Sequence, residues 1–163
     1  MKKTLVALCM LFVAVFTVQA QDDDAAEQQA IAQELMSIKI DMKVDTELFM
    51  KVTENTYVSE SPKAMIMAMI VPETYENAKS KLVGNMPPDF KVKEKGEKMM
   101  NGIQVLFLEG TAEAQGSTVD STVYCFKRDA DTCIMFMGMS EVGADKKYVD
   151  AITTAANSVV KKQ

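Results

Sequence analysis

The sequence predicts an α+β domain built on a largely antiparallel sheet of about seven strands, covered by helices as in an α/β/α sandwich. Three observations lead to this fold class. Extended stretches separated by turn residues occupy most of the chain. Two later segments have the spacing of packed helices. One strand, residues 64–71, is apolar at every position, so helices must cover both of its faces.

Residues 1–20 have the three parts of a secretory signal peptide. Lys2 and Lys3 precede an apolar run over residues 5–18, and the small-residue site ending at Ala20 predicts cleavage before Gln21. A membrane anchor is the alternative, but the run is shorter than the ~20 residues of a spanning helix. Acylation at Cys9 is not expected, because the bulky Leu8 precedes it. We therefore expect export to the periplasm or the extracellular space.

The rest of the chain divides into a polar leader or short helix over residues 21–35 and a single α+β domain over residues 36–163. Cleavage removes Lys2 and Lys3, so the net charge changes from −5 to −7. An anionic domain of this kind is not expected to bind nucleic acid or anionic lipid. We also expect no transmembrane segment after cleavage.

The first half of the domain contains three predicted strands and a helix. Residues 36–42 alternate apolar and polar side chains, residues 48–58 are rich in Val, Thr and Tyr, and residues 64–71 are apolar throughout. Pro72 and the two residues after it begin a helix that ends at Gly84 and Asn85.

The second half contains four predicted strands and a closing helix. The strands cover residues 90–98, 103–114, 118–126 and 132–140, and the helix covers residues 146–161. Asn101-Gly102 predicts a tight hairpin turn after the first of these strands. Asp145 has the side chain of a helix N-cap. Short connections between the four strands predict antiparallel neighbours.

From about residue 38 to 160 this order of elements resembles the PsbP/Mog-type fold, named for an extrinsic protein of photosystem II and for a Ran-binding protein. The matching features are Asn101-Gly102 between two strands, the strand containing Ile134, Met135 and Phe136, and the final helix ending at residues 156–159. The resemblance implies helices on both sides of an antiparallel sheet. It also implies a role in protein binding or assembly, and it assigns no site residue.

The composition argues against common catalytic centres. The chain has no histidine, so Ser-His-Asp and Cys-His arrangements cannot form and the usual nitrogen ligands of catalytic zinc are missing. The carboxylate pairs Asp129/Asp131 and Glu94/Glu97 fall in a turn and on a lysine-rich strand, where solvated surface charge is the expected role. We predict that the protein is not an enzyme and assign no catalytic residue, cofactor or metal ligand.

Methionine is the most unusual component of the sequence. Alternate positions of two predicted strands carry it, so three side chains of each strand point to one face: Met65, Met67, Met69, Met135, Met137 and Met139. Thioethers are ligands of Cu(I), so a small-ligand or Cu(I) carrier is the alternative function. Methionine also fills irregular space in hydrophobic cores, and the composition favours that role.

Cys125 and Cys133 flank the turn at residues 128–131 and are the two cysteines that remain after cleavage. Both lie on the same face of their strands, and a hairpin register whose paired numbers sum to 258 would place them directly opposite. They are therefore candidates for a cross-strand disulfide in an oxidising compartment, the alternative being two buried free thiols. The spacing is not that of a redox Cys-x-x-Cys motif.

Two further surfaces are candidates for contact. Met86, Pro87 and Pro88 form an apolar, conformationally restricted loop that suits protein binding, or that simply shapes the connection from helix to strand. A stripe of four lysines could dock an anionic partner, but protection of an edge strand is the simpler interpretation and the one that we predict: Lys91, Lys93, Lys95 and Lys98.

Together these features predict an exported, non-enzymatic domain that binds, or assists the assembly of, another envelope or secreted protein. A face of the sheet or the loop at Met86, Pro87 and Pro88 would make the contact.

Overall fold

The computed structural model describes residues 24–84, 90–114 and 116–161, and within these ranges the chain forms one seven-stranded sheet and three helices. The predicted α+β fold class is confirmed. In chain order the elements are α1 (Asp24–Ser37), β1 (Met50–Thr53), β2 (Thr56–Glu60), β3 (Lys63–Val71), α2 (Tyr75–Gly84), β4 (Lys91–Met100), β5 (Ile103–Ala114), β6 (Ser117–Lys127), β7 (Cys133–Glu141) and α3 (Lys146–Val159).

The sheet is antiparallel throughout, with the strand order β1-β2-β3-β7-β6-β5-β4. The strands β4 to β7 follow one another as adjacent hairpins, as the short connections predicted. Strand β3 lies beside β7, whereas β4 lies at the far edge. The connection through α2 therefore has to cross one face of the sheet, and this crossing places α2 over the outer strands.

Each face of the sheet carries its own hydrophobic core. On one face, called here the α3 face, Ile66, Ala68 and Phe136 pack with α3 and with Leu35 of α1. On the other, called the methionine face, the six methionines of β3 and β7 pack with α2 residues such as Ala78. Strand β3 is buried from Ala64 to Val71, which confirms the prediction that it is covered on both sides.

The prediction of a strand at residues 36–42 is wrong. Met36 lies in the last turn of α1, and residues 38–49 cross the α3 face without joining the sheet. The alternation that suggested a strand holds only for residues 40–42, where Ile40 is buried and Met42 is half-buried while Asp41 between them is exposed. Met36 and Ile38, the other two apolar residues of the pattern, are exposed. An irregular segment lying on a core produces the same period as a strand. Its backbone bonds to side chains instead, with Ile40 N donating to Asn55 Oδ1 at 2.8 Å.

The single extended stretch predicted at residues 48–58 is two strands. A turn at Glu54 and Asn55 separates β1 from β2, and β1 pairs with β2 as a hairpin with a register irregularity near Thr53. This additional strand replaces the one lost at residues 36–42, so the sheet still has seven strands.

The Asn101-Gly102 turn joins β4 to β5 as predicted. Both residues have positive φ, 53° and 76°, which is the backbone that favours Asn-Gly in a two-residue hairpin. Asn101 has a second role, since its Nδ2 donates to the carbonyl oxygens of Asn157 at 3.0 Å and Val160 at 2.8 Å. The turn therefore also ties the outer hairpin to the end of α3.

Among the residues described, no helix combines the length and the hydrophobicity needed to span a membrane. The predicted signal peptide at residues 1–20 lies outside the described residues.

Candidate functional site

A groove opens on the α3 face where α3 leaves the outer strands uncovered. Its cavity volume is about 250 Å³. The floor includes Thr122 and Tyr124 of β6, and the wall includes Val149 and Thr153 of α3. We call this cavity the α3 groove. Val149 is 47% exposed and Thr153 is exposed, so this wall presents an accessible mixed surface.

Close packing of α3 on the central strands sets the position of the groove wall. A Cβ atom added to Gly138 of β7 would lie 2.2 Å from Ile152 Cγ2, so the helix sits directly on the backbone of the sheet at this point. Asp145 caps the helix by accepting a hydrogen bond from Lys147 N at 3.0 Å. The helix is thus fixed at its start, near its middle and, through Asn101, at its end.

Charged groups line the outer side of the groove. Lys93 forms an ion pair with Asp120, and Glu109 lies near Lys98 at 3.4 Å. The Lys98 ammonium stands 4.6 Å from the centre of the Tyr124 ring and 4.5 Å from that of Phe107. Partial burial opposes the charge of Lys98, but the hydrogen bond from its ammonium to Tyr124 and the nearby Glu109 raise its pKa overall. The groove can therefore offer an aromatic surface, hydroxyl groups and carboxylates to a ligand.

The methionine face brings all six predicted methionines together. Met65 pairs with Met139, Met67 with Met137 and Met69 with Met135 across β3 and β7. Each is 8% exposed or less, and they share one apolar cluster with Val58 and Val123. Their arrangement is that of packed core side chains, as the composition favoured.

Cys125 and Cys133 lie on the methionine face with no exposed surface. The register of β6 and β7 pairs Cys125 with Met135 and Lys127 with Cys133, so paired numbers sum to 260 and the cysteines are diagonal neighbours. The register that would have placed them directly opposite is therefore wrong, because the hairpin loop is longer than that register allows. Both are free thiols here, and a disulfide stays a prediction.

The interaction between the two thiols lowers the pKa of Cys133, and together with burial it raises the pKa of Cys125.

The carboxylates considered for catalysis have structural partners. Asp129 accepts hydrogen bonds from the Thr132 hydroxyl at 2.7 Å and from the Asp131 and Thr132 backbone at 3.0 and 2.8 Å, which closes the turn before β7 and lowers the pKa of Asp129. Glu97 accepts from Lys79 at 2.7 Å and from Tyr75 at 2.9 Å, which joins α2 to β4. Neither group faces a second carboxylate across a cleft in these contacts.

The other sequence candidates have different outcomes. The lysine stripe lies on β4, which is an edge strand as predicted. The loop at Met86, Pro87 and Pro88 lies outside the described residues. Sequence reasoning missed the α3 groove, although β6 carried a signal for it. Its alternate residues Asp120, Thr122 and Tyr124 are polar on the face where β3 and β7 are apolar, which indicates a region that no helix covers.

No family model matches this chain, and no curated protein sequence does. Comparison with solved structures gives matches at low sequence identity, of which two are described. The Pseudomonas aeruginosa protein PA94, of unknown function, is 10% identical, with a TM-score of 0.54 over 77% of this chain and 99% of its own. LpqN, involved in cell envelope biogenesis of Mycobacterium tuberculosis, is 15% identical, with a TM-score of 0.46 over 76% of this chain and 80% of its own. The likeness to PA94 shows the fold alone. Membership of the PsbP/Mog-type family stays a prediction.

Proposed function

We propose that this protein is an exported, non-enzymatic binding domain that holds a segment of another envelope or secreted protein in the α3 groove. The observation that carries the proposal is the groove itself, a cavity of about 250 Å³ bounded by the exposed side chains of α3 and the uncovered outer strands. Export follows from the signal peptide predicted at residues 1–20.

The chemistry of the groove suits a peptide segment with apolar and hydrogen-bonding side chains. Tyr124 offers an aromatic ring and a hydroxyl, which bind well without losing much side-chain entropy. Asp120 and Glu109 add acceptors at the outer side. The surrounding strands and helix are held by core packing, so a partner would meet a preformed surface.

Two neighbouring threonines of α3 provide a matched test. Thr153 lines the groove, whereas Thr154 is also exposed but is not part of the groove lining. Each hydroxyl donates to a backbone carbonyl four residues earlier, at 2.9 and 2.8 Å. Thr153→Glu places a charged side chain at the groove, and Thr154→Glu places the same side chain beside it.

The experiment is affinity capture from an envelope extract with the exported protein and both variants. We expect a partner that the wild type and Thr154→Glu retain and that Thr153→Glu loses. Equal retention by both variants would contradict binding in the groove. A melting temperature that rises with small molecules, without any retained protein, would instead support a carrier function.

A further inference from the structure

We propose a soft-metal site for Cu(I) at the place where Cys125, Cys133 and Met135 meet beneath α2. It is a site additional to the α3 groove, on the opposite face of the sheet, and it does not depend on the proposed function.

The strand register brings the three sulfur groups together. Met135 of β7 pairs directly with Cys125 of β6. Cys133 precedes Met135 by two residues on the same strand, so the two side chains point to the same face. On its other side Met135 pairs with Met69 of β3, which places a fourth sulfur beside the site. Three adjacent strands thus supply two thiols and two thioethers.

The burial of these side chains and their cover by α2 are consistent with a preformed site. Both cysteines have no exposed surface, and Met135 is 4% exposed. Cys125 and Cys133 project from the same face of two adjacent paired strands and are offset by two residues in the register. The short helix α2 covers this end of the methionine face through Tyr75 and Ala78. It is the described element that would have to move for a metal ion to enter.

The donor set selects the metal. Thiolate and thioether sulfur are soft ligands, and Cu(I) accepts a site made only of them. Structural zinc requires about four Cys, His or carboxylate ligands. Among residues 24–84, 90–114 and 116–161, no three His, Cys, Asp or Glu side chains are grouped to hold a metal.

The diagonal placement of the cysteines favours a metal over a disulfide. Diagonal neighbours on antiparallel strands have Cα atoms about 7–8 Å apart, whereas disulfides join Cα atoms at about 4.4–6.8 Å. A metal ion between two sulfurs spans a longer gap than a direct S–S bond. Binding breaks two S–H bonds, forms two Cu–S bonds with Met135 as a third ligand, and releases two protons to solvent. No electron is transferred.

The test is a titration of the exported protein, reduced and kept anaerobic, with Cu(I) in competition with a chromogenic Cu(I) chelator. We expect one Cu(I) per chain, held more tightly than micromolar, with a thiolate-to-copper absorption band in the ultraviolet. The thiolate-to-copper band should be absent from each of four single variants: Cys125→Ser, Cys125→Ala, Cys133→Ser and Cys133→Ala. Met135→Leu should weaken binding by at least about 10-fold, because even the residues that only orient a metal's ligands contribute about 10- to 100-fold.

Met137→Leu is the matched control, because Met137 is on the same strand and face, equally buried, but two residues further from the cysteines. It should change the affinity by less than about twofold, within the range of a volume-conserving core swap. Circular dichroism of each variant confirms folding. Binding that survives replacement of both cysteines would overturn the proposal, as would weaker than micromolar binding or a mass two daltons lower that shows a disulfide in the purified protein.

Discussion

At the scale of single residues, Asn55 is a buried polar side chain that joins two segments of the chain. It is 4% exposed, its Nδ2 donates to Ile38 O at 2.7 Å, and its Oδ1 accepts from Ile40 N at 2.8 Å. Its own carbonyl oxygen accepts from Ala68 N at 3.0 Å. One side chain therefore satisfies the backbone of the segment that crosses the α3 face and fixes it to the β1–β2 turn.

We predict that Asn55→Ala lowers the free energy of unfolding by about 2 kcal/mol, because it leaves a buried backbone donor and an acceptor unsatisfied. Urea denaturation followed by circular dichroism measures the change. Asn77→Ala in α2 is the control, since Asn77 is exposed and should change stability by no more than about 0.5 kcal/mol. Equal effects of the two substitutions would show that Asn55 does not hold the segment.

At the scale of elements, α3 is positioned by contact with the backbone of β7. Buried residues Tyr148, Ile152, Ala155 and Val159 form its inner side, and Gly138 leaves room for Ile152. The helix determines both the core of the α3 face and the wall of the groove. A change at this one contact should therefore affect stability and the groove together.

We predict that Gly138→Ala destabilises the protein by about 1–3 kcal/mol through overpacking against Ile152. In an Ile152→Ala background the clashing Cγ2 atom is absent, so the same substitution should cost less by about 1 kcal/mol or more. A double-mutant cycle from denaturant unfolding gives this coupling. Val58→Ala, on the methionine face, replaces Ile152→Ala in a control cycle that should be additive. If the changes in unfolding free energy were additive in both cycles, Ile152 of α3 would not pack against Gly138.

At the scale of the whole molecule, the open sheet has two edges that are protected differently. Strand β1 is only four residues long, and short edge strands offer little template for pairing. Strand β4 is ten residues long, and eight of its ten residues are exposed. Among the described residues its outer edge has no strand partner. Lysines along such an edge oppose pairing between copies.

We predict that Lys91→Val with Lys95→Val makes the protein associate at rising concentration, because it leaves β4 as a long, less charged edge. Static light scattering gives the mass. The control is Lys146→Val with Lys147→Val in α3, which changes the net charge equally away from the edge. Association of both double variants to the same extent would attribute solubility to net charge and not to the edge.

Local chemistry predicted most of the elements. Asn101-Gly102, the wholly apolar run of β3, and Asp145 before α3 act within a few residues, so their structural effect is present in the sequence. The error at residues 36–42 has a different origin. Ile40 and Met42 face a core like strand residues, and period two does not reveal whether the backbone bonds to a neighbouring strand or to the side chain of Asn55.

The candidate sites were less predictable than the fold. The sequence spacing correctly placed Cys125 and Cys133 on the same face of the sheet. The paired residue numbers of β6 and β7 sum to 260 and not to 258, so the two cysteines are diagonal neighbours and not direct partners. The α3 groove joins side chains of β6 with those of α3, which are separated along the chain. Its location depends on where Gly138 allows the helix to rest.

The sequence by itself determined the turns, the two-faced apolar strand β3, the absence of histidine chemistry and the sulfur content of one sheet face. These properties depend on residue identity and on spacing along one strand. Only the tertiary structure decided which residues pair across strands, which part of the sheet α3 leaves open and which sulfur atoms adjoin. Those outcomes depend on loop lengths and on close packing between distant segments, and no local pattern contains that information.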